Sequence, residues 1–454
     1  MLLIAVATLD ACGAGTSREP TSPNTQGIPR DGAIRTATET PDAGMTASTP
    51  TGSVAIWKAP RWLPPSDAPA SGDQFGWMIA LGPTTVAVAA PGFADGDVHG
   101  AAFLYGWDGH DAGTLALEAV VVNTEAKKGD RWGEAVDVRD RRVVVGSLSR
   151  GFAILERRGD GAWAVDRTVA APGASYEAFG GPLAFLNDDA VVVVGREGPG
   201  DQGHGRVLTY GDSRGELIEV TPAERVNYQR LTPDIIAAED ELLVQTEDAT
   251  RLFTYKEGRL QRAEDLSLPP DERAMTGAWC GGTWWLSALK VHDDTYAGVV
   301  HPMQRGNDGW RPAGSVGPGR RIDLGGFGRA MACADDCLLV QTNTDNGLPS
   351  SAGAVHVVAM VGASSRVVAS LHEVPAVEED KFGEKMAAAG KWWFIGTPAP
   401  WRRADGHLAI YERTGAGDRC QHPKPILRFS LSARHGLEKV DAAVGEPPAG
   451  RRVN

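Results

Sequence analysis

Short runs of apolar residues, separated by polar segments rich in glycine, recur along most of the chain. Clear examples are residues 86–90, 143–145 and 191–194, in which valine and alanine dominate. Short apolar runs bounded by turn residues are typical of buried β-strands. No long stretch has the 3.6-residue period of an amphipathic helix, and 56 glycines and 29 prolines mark frequent chain reversals. The pattern predicts an all-β protein.

The apolar runs belong to a repeated unit. In the first copy, Asp73-Gln74-Phe75-Gly76 precedes the run and Gly100-Ala101-Ala102-Phe103-Leu104-Tyr105 follows it. Four further copies keep an aromatic residue followed by glycine, and these pairs are Trp132-Gly133, Phe179-Gly180, Phe327-Gly328 and Phe382-Gly383. Two copies are eroded: the fourth keeps only residues 242–245 and 250–255, and the fifth keeps only residues 284–287 and 298–300. Marker positions 100, 151, 205, 250, 298, 353 and 406 differ by 51, 54, 45, 48, 55 and 53, so we count seven units.

Each unit also has a strand before the aromatic-glycine pair, as in residues 163–169 and 310–316. Four short antiparallel strands make one blade of a β-propeller, and a ring of blades buries both faces of each sheet. The sequence therefore predicts a seven-bladed β-propeller of four-stranded antiparallel blades over residues 53–432. Two segments could complete the ring, 54–58 and 425–431. We expect the second to finish the seventh blade, with 433–454 a loose tail.

The repeat resembles the FG-GAP repeat, which builds the propeller of integrin α subunits and of many bacterial surface proteins. In members that bind metal, loops between the second and third strands hold calcium, because this ion needs several converging oxygens. The matching loops here offer Asp95, Asp97, Asn343 and Asp345. None has the full alternating set of carboxylates, so we expect these residues to cap turns, and calcium is the alternative. No other cofactor is expected.

The amino terminus has the pattern of an export signal. Residues 2–9 form an apolar run too short to span a bilayer. The run ends in Leu9-Asp10-Ala11-Cys12, which resembles the lipobox of bacterial lipoproteins, with Cys12 as the lipidated residue. Residues 13–52 are rich in Gly, Ser, Thr and Pro, which predicts a disordered tether. We expect residues 1–12 to be the lipoprotein signal and the protein to be lipid-anchored in the bacterial cell envelope. The alternative is a chance apolar start.

Charge and cysteine content narrow the choice of partners. The net charge of −13 disfavours nucleic acid and leaves the lipid as the only expected membrane contact. Besides Cys12, the chain has four cysteines, which suits an oxidising compartment. Cys333 and Cys337 bracket a tight turn, so we expect a bridge across that hairpin, with Cys280 and Cys420 as the other candidate pair. Unpaired thiols are the alternative, and the spacing disfavours zinc.

Catalytic motifs are absent from the sequence: it has no Gly-x-Ser-x-Gly, no phosphate-binding glycine loop and no His-Glu-x-x-His. We therefore expect a monomeric, non-enzymatic module that binds or scaffolds a protein or glycan. A propeller enzyme of hydrolase, lyase or quinoprotein type is the alternative, and a purely structural envelope component is a third. His99, His204 and His407 precede or follow a strand-opening glycine, and we expect them to be surface turn residues.

The lipobox resemblance makes a direct prediction. Mass spectrometry of the membrane fraction should find a mature chain that begins at a diacylated Cys12, and Cys12→Ser should move the protein to the soluble fraction. An unmodified Cys12 in an uncleaved chain would contradict the anchor.

Overall fold

The computed structural model describes part of the chain, and only that part is discussed. It comprises residues 45–46, 54–58, 72–173, 176–188, 190–197, 204–211, 215–219, 235–238, 240–245, 249–292, 295–307, 309–318, 326–343, 348–349, 351–361, 364–373, 376, 378, 381–398, 406–414, 420, 424–432 and 436–439. The proposed signal, Cys12 and nearly all of the proposed tether lie outside the described residues. In the described part, no helix is long and apolar enough to cross a bilayer.

The described elements are β-strands and one short 3-10 helix, η1 (Ala112–Thr114). The strands are β1 (Met45–Thr46), β2 (Val54–Lys58), β3 (Ile79–Leu81), β4 (Thr85–Asp95), β5 (Val98–Gly106), β6 (Ala116–Asn123), β7 (Ala135–Arg139), β8 (Arg142–Ser147), β9 (Gly151–Arg157), β10 (Trp163–Val169), β11 (Tyr176–Asn187), β12 (Ala190–Glu197), β13 (His204–Gly211), β14 (Glu216–Glu219), β15 (Ile235–Ala238), β16 (Glu241–Gln245), β17 (Thr250–Lys256), β18 (Arg259–Leu266), β19 (Glu272–Cys280), β20 (Thr283–His292), β21 (Thr295–Gly306), β22 (Gly309–Pro312), β23 (Met331–Ala334), β24 (Cys337–Thr342), β25 (Ala354–Val361), β26 (Ser364–Leu371), β27 (Met386–Ala389), β28 (Trp392–Thr397), β29 (His407–Thr414), β30 (Lys424–Ser432) and β31 (Gly436–Lys439).

Successive strands pair antiparallel in groups of four that follow chain order. We number these groups sheets 1 to 7: β3–β6, β7–β10, β11–β14, β15–β18, β19–β22, β23–β26 and β27–β30. Sheets 4 and 5 are further joined by one parallel pair between Leu266 and Trp310. The prediction of an all-β fold with four-stranded antiparallel sheets is confirmed, and the two eroded copies form sheets 4 and 5.

Neighbouring residues of one strand pack against different sheets. On β12, Val191 and Val193 contact sheet 2, whereas Val192 and Val194 contact sheet 4. Side chains alternate across a strand, so a run of valines with no polar interruption is the expected pattern for a sheet covered on both faces. The Trp392-Trp393 pair divides in the same way, with Trp392 packing toward sheet 1 and Trp393 toward sheet 6. The apolar runs of the sequence therefore reflect two buried faces.

The sheets pack in a series that closes on itself. The first strands of successive sheets contact each other in chain order, and β27 of sheet 7 contacts β3 of sheet 1. Within the described residues, seven apolar clusters each join two consecutive sheets, and one of the seven joins sheet 7 to sheet 1. Every sheet is thus covered on both faces by its neighbours.

Glycine allows the backbones of adjacent sheets to approach closely. A Cβ added to Gly100 of sheet 1 would lie 2.1 Å from the Trp132 carbonyl oxygen, and one added to Gly353 of sheet 6 would lie 2.3 Å from that of Phe382. The glycine of each aromatic-glycine pair has a positive φ: 84° at Gly76, 79° at Gly133, 99° at Gly180, 91° at Gly328 and 83° at Gly383. These conformations and contacts require the absence of a side chain.

The same contact closes the series between the two ends of the chain. A Cβ on Gly406 would lie 2.3 Å from the Phe75 carbonyl oxygen. The buried Asp73 carboxylate accepts hydrogen bonds from the backbone N–H of Phe75, at 3.2 Å, and from that of Gly406, at 3.1 Å. Trp392 also donates its indole N–H to the His110 carbonyl oxygen at 2.6 Å. Sheet 1 contains the consecutive strands β3–β6, and sheet 7 contains the consecutive strands β27–β30. Packing and hydrogen bonds between these two sheets therefore close the series.

The terminal segments differ in part from the prediction. As expected, β30 pairs with β29 and completes sheet 7. The segment β2 adds a fifth strand to the outer edge of sheet 1 by pairing with β6. Two segments predicted to be irregular also form strands, since β31 pairs with β30 and β1 pairs with β14. Exposed sheet edges accept additional strands, so part of the predicted tail and tether pairs there.

Two disulfides join neighbouring sheets, and the predicted pairing is wrong. Cys280 bonds to Cys333 and links sheet 5 to sheet 6, whereas Cys337 bonds to Cys420 and links sheet 6 to sheet 7. In the β23–β24 hairpin, Cys333 is opposite Leu338 and Cys337 is opposite Ala334. This one-residue offset places the two cysteines on opposite faces of the sheet, so each bonds to a different neighbour.

The contact between Gly406 and Phe75 leaves no room for a side chain, so we expect a single added methyl group to lower the stability of the protein. Gly406→Ala should destabilise the protein by about 1–3 kcal/mol or more, because the added carbon meets backbone atoms that cannot rotate away. Gly159→Ala is the matched control, since a Cβ there would meet no atom within 4 Å. Thermal unfolding of both variants measures the difference, and equal melting temperatures would contradict a tight closure.

Candidate functional site

Two sets of loops lie at the same edge of the sheets, and we call this edge the loop rim. One set precedes the first strand of each sheet, and the other joins the second strand to the third. Gly100, near the start of β5, forms a bridge with Trp132, which precedes β7. Gly353 likewise lies against Phe382, which precedes β27. Loops carried by a rigid β-scaffold are common positions for binding residues.

The β4–β5 hairpin extends beyond the body of sheet 1 at the loop rim. Its pairing is interrupted between Ala90 and Ala94 and resumes with Ala94 opposite His99 and Asp95 opposite Val98. Ala94, Gly96 and Asp97 are exposed, while Asp95 is half-buried. Gly96 has φ of 58°, as a tight hairpin turn requires. Asp95 and Asp97 are thus neighbours at a hairpin tip.

Asn343, another proposed calcium ligand, follows β24 in sheet 6. The Asn343 side-chain oxygen accepts a hydrogen bond from the Gln341 amide at 2.9 Å, and the Asn343 carbonyl oxygen accepts one from the Gly353 N–H at 3.0 Å. Asp345 lies outside the described residues. Among the described residues, no group of three or more His, Cys, Asp or Glu side chains is arranged to hold a metal ion. The expectation that calcium is not bound stays a prediction.

Asp130 organises the loop that connects sheet 1 to sheet 2. Its carboxylate accepts hydrogen bonds from the Lys127 N–H at 2.8 Å, the Ser149 hydroxyl at 2.7 Å and the Arg150 guanidinium at 2.7 Å. Partial burial alone would raise the pKa of Asp130, but these donors outweigh it and the pKa is lowered. The carboxylate therefore stays ionised and fixes two rim loops to each other.

The residues around the second aromatic-glycine pair form a compact charged turn. Arg131 has φ of 51° and pairs with Glu134, with 2.6 Å between Nε and Oε2. The Arg131 guanidinium also lies 4.8 Å from the centre of the Trp77 ring. This cation–π contact crosses from sheet 2 to sheet 1 and orients a half-buried tryptophan at the rim.

The aspartate two residues before the aromatic residue has a structural role that the repeat pattern alone did not predict. Asp73 binds the closing glycine, and Asp130 fixes the rim loops. The sequence contains a pattern that could have indicated this role, since Asp-x-aromatic-Gly occurs at 73–76, 130–133 and 380–383. The charged turn also recurs, since Lys381 pairs with Glu384 at 3.2 Å as Arg131 pairs with Glu134.

Histidines at the rim have separate surroundings. His407 pairs with Glu373, with 2.6 Å between Nε2 and Oε1. His99 is half-buried at the β4–β5 hairpin, and the side chain of His204 lies outside the described residues. All three histidines belong to strands, His99 to β5, His204 to β13 and His407 to β29, so the prediction that they are turn residues is wrong.

Sheet 5 contains a buried polar pair that no motif indicated. His301 lies 2.5 Å from Glu272 through Nε2 and Oε2, and its Nδ1 lies 2.8 Å from the Gly314 carbonyl oxygen. Lys290 adds a contact of 3.2 Å to the other oxygen of Glu272. The side chains of His301 and Glu272 are 5% and 1% exposed, so a ligand has no access to them. The pair satisfies its own hydrogen bonds inside the sheet.

Asp137 links the first strands of sheets 2 and 3. Its carboxylate accepts hydrogen bonds from the backbone N–H of Phe185 on β11, at 2.7 Å, and from that of Val138, at 2.8 Å. Burial raises the pKa of Asp137 to about 6, although both hydrogen bonds act in the opposite direction. A carboxyl group with this pKa changes charge near neutral pH.

Comparisons with known proteins give distant structural likeness only. No family model matches the chain, and no curated protein matches it. The crystal structure of Saccharomyces cerevisiae Sqt1 is 9% identical and matches over 91% of this chain and 94% of that chain, with a TM-score of 0.46. A functionally unknown protein from Desulfotomaculum acetoxidans DSM 771 is 11% identical over 72% of this chain and 95% of that chain, with a TM-score of 0.42.

One further solved structure is the dihydro-heme d1 dehydrogenase NirN in complex with DHE. It is 15% identical over 74% of this chain, with a TM-score of 0.42. The match covers 64% of the NirN chain, so this chain spans less than two-thirds of that protein.

Asp137 predicts a specific pH dependence. In the unfolded chain its carboxyl group has the ordinary value of 3.8, so the folded state binds this proton more tightly. Above pH 6 the buried carboxyl group is ionised, which lowers the free energy of unfolding. This loss of stability disappears as the pH falls toward 4 and the group takes up its proton. Relative to Asp137→Asn, the wild-type protein should therefore gain about 1–2 kcal/mol of unfolding free energy between pH 7 and pH 4.5.

Denaturant unfolding at several pH values measures this difference. The matched control is Asp140→Asn, which changes an exposed aspartate in the turn that follows the same strand and should keep the wild-type pH dependence. A constant difference between wild type and Asp137→Asn across the whole range would show that Asp137 is ionised throughout.

Proposed function

We propose that this chain is a seven-bladed β-propeller of the FG-GAP repeat type that binds or scaffolds a protein or glycan ligand. The observation that carries the proposal is the closed series of sheets, in which seven apolar clusters in the described part join each sheet to the next. Each sheet is then one blade. Such a scaffold holds its loops in fixed positions, which lowers the entropy lost when a ligand binds.

The proposed attachment is a lipid on Cys12, followed by a polar tether over residues 13–52. The lipobox resemblance and the composition of the following segment support it. A lipid with a flexible linker would hold the propeller near a membrane surface of the cell envelope while the loop rim stays accessible. One acyl group binds weakly, and a diacylated cysteine provides the second chain that stable anchoring needs.

The proposed contact surface lies on the loop rim at sheets 1 and 2. It comprises the hairpin tip at residues 94–98 and the loop at residues 124–131, and we call it the hairpin–loop surface. Both segments end at the Gly100–Trp132 contact, so they emerge at the same point between the two sheets. Asp97, Lys127 and Lys128 are exposed there. Asp130 holds the loop in place, so the charges are presented in a fixed arrangement.

The test uses the full chain with Cys12→Ser, immobilised and probed with a glycan array and with separated surface proteins. A variant with Lys127→Glu and Lys128→Glu reverses the charge of the hairpin–loop surface. Its matched control reverses two exposed cations, Lys256→Glu and Arg259→Glu, in the β17–β18 turn at the opposite edge. A ligand of this surface should lose about tenfold or more in affinity for the first variant and keep its affinity for the control.

Two results would overturn the proposed surface. A glycan or protein whose affinity falls equally in both variants would be responding to net charge, and one that is unaffected by either variant would bind elsewhere. The array and the protein arm also separate the two ligand classes, because each reports its own affinity.

A further inference from the structure

A cavity of about 400 Å³ lies along the first strands of sheets 4 to 7. Its walls are β15, the second half of β19, β23 and the beginning of β27, together with residues 329 and 330. These strands contact each other in chain order, so four consecutive sheets line the cavity. The volume is within the range of small-molecule sites and holds roughly a dozen water-sized groups.

Both charged residues in the described lining of the cavity are cationic. They are Arg329, which follows Phe327-Gly328, and Lys385, which follows Phe382-Gly383-Glu384. In the described part of the chain, no carboxylate lines the cavity. The nearest acidic residue in sequence, Glu384, is paired with Lys381 at 3.2 Å. Within that part, no hydrogen bond or ion pair engages the charged groups of Arg329 or Lys385.

The rest of the lining is apolar and aromatic. Ile236, Met331 and Met386 contribute aliphatic and thioether surface, and Trp279 contributes a ring. The Trp279 ring is held by an edge contact with Trp284, with 5.2 Å between the ring centres. The Cys280–Cys333 disulfide joins two of the lining strands directly. The cavity therefore combines a mostly apolar lining with two cationic residues, as small-molecule sites with a few polar groups do.

We propose that this cavity binds a small organic anion, with its carboxylate or phosphate at Arg329 and Lys385 and its apolar part against Trp279 and the two methionines. Arg329 and Lys385 are the charged residues of the described lining, and an anion in the cavity would form charge-assisted hydrogen bonds with their side chains. The proposal does not depend on the hairpin–loop surface, which faces a macromolecular ligand at sheets 1 and 2.

Calorimetric titration of the full chain with Cys12→Ser tests the proposal. The probes are benzoate, phenyl phosphate and benzyl alcohol, which share a ring and differ in the group that would meet the cations. Benzoate or phenyl phosphate should bind about tenfold or more tightly than benzyl alcohol, and the stronger of the two anions identifies the preferred group.

Variants separate the charge from the shape of the site. Arg329→Gln with Lys385→Gln should weaken the anion about tenfold or more, and the control Lys256→Gln with Arg259→Gln should not. Ala330→Phe keeps both charges but fills part of the cavity, and it should also abolish binding. Melting temperatures establish that each variant is folded. Equal binding by the double variant and wild type, a neutral probe that binds as well as the anions, or no binding of either anion would overturn the proposal.

Discussion

The contact between a glycine of one sheet and the backbone of an aromatic residue in the next is the constraint on which the fold depends. Gly100 meets Trp132 and Gly353 meets Phe382 at distances that exclude a side chain. This contact sets the spacing of the sheets and so permits the valines of each strand to fill both intervening layers. The same contact, made by Gly406 with Phe75, brings sheet 7 back to sheet 1.

Buried or half-buried aspartates fix the relative positions of neighbouring sheets and loops through hydrogen bonds. Asp73 binds N–H groups from both ends of the series, Asp130 binds two rim loops, and Asp137 joins the first strands of sheets 2 and 3. A carboxylate that accepts several donors fixes its neighbours because each lost bond leaves a buried polar group unsatisfied. The framework of aspartates and glycines leaves the exposed loop residues free to vary, and the proposed hairpin–loop surface consists of such residues.

Much of the fold could be predicted from the sequence, because the sequence shows both the apolar runs of the strands and the repeat of about 50 residues that forms each sheet. The valine runs mark strands buried on two faces, the aromatic-glycine pairs mark the contacts between sheets, and the Trp392-Trp393 pair divides between two layers as alternation requires. The pairing of Cys333 could not be predicted, because it depends on a one-residue offset in a hairpin. The Arg329–Lys385 cavity was also not visible in the sequence, since its walls come from four separate repeats and each contributes only a few residues.

The two disulfides make the carboxy-terminal sheets resistant to the loss of fragments. Cys280–Cys333 encloses residues 281–332, and Cys337–Cys420 encloses residues 338–419. A protease that cuts one peptide bond in either interval leaves the two pieces covalently linked, and the adjoining sheets keep them aligned. A cut before Cys280 leaves the pieces held by noncovalent packing alone. Sheets 1 to 4 therefore rely on the integrity of their backbone, whereas the parts of sheets 5 to 7 that lie within residues 281–332 and 338–419 have covalent protection against a nick.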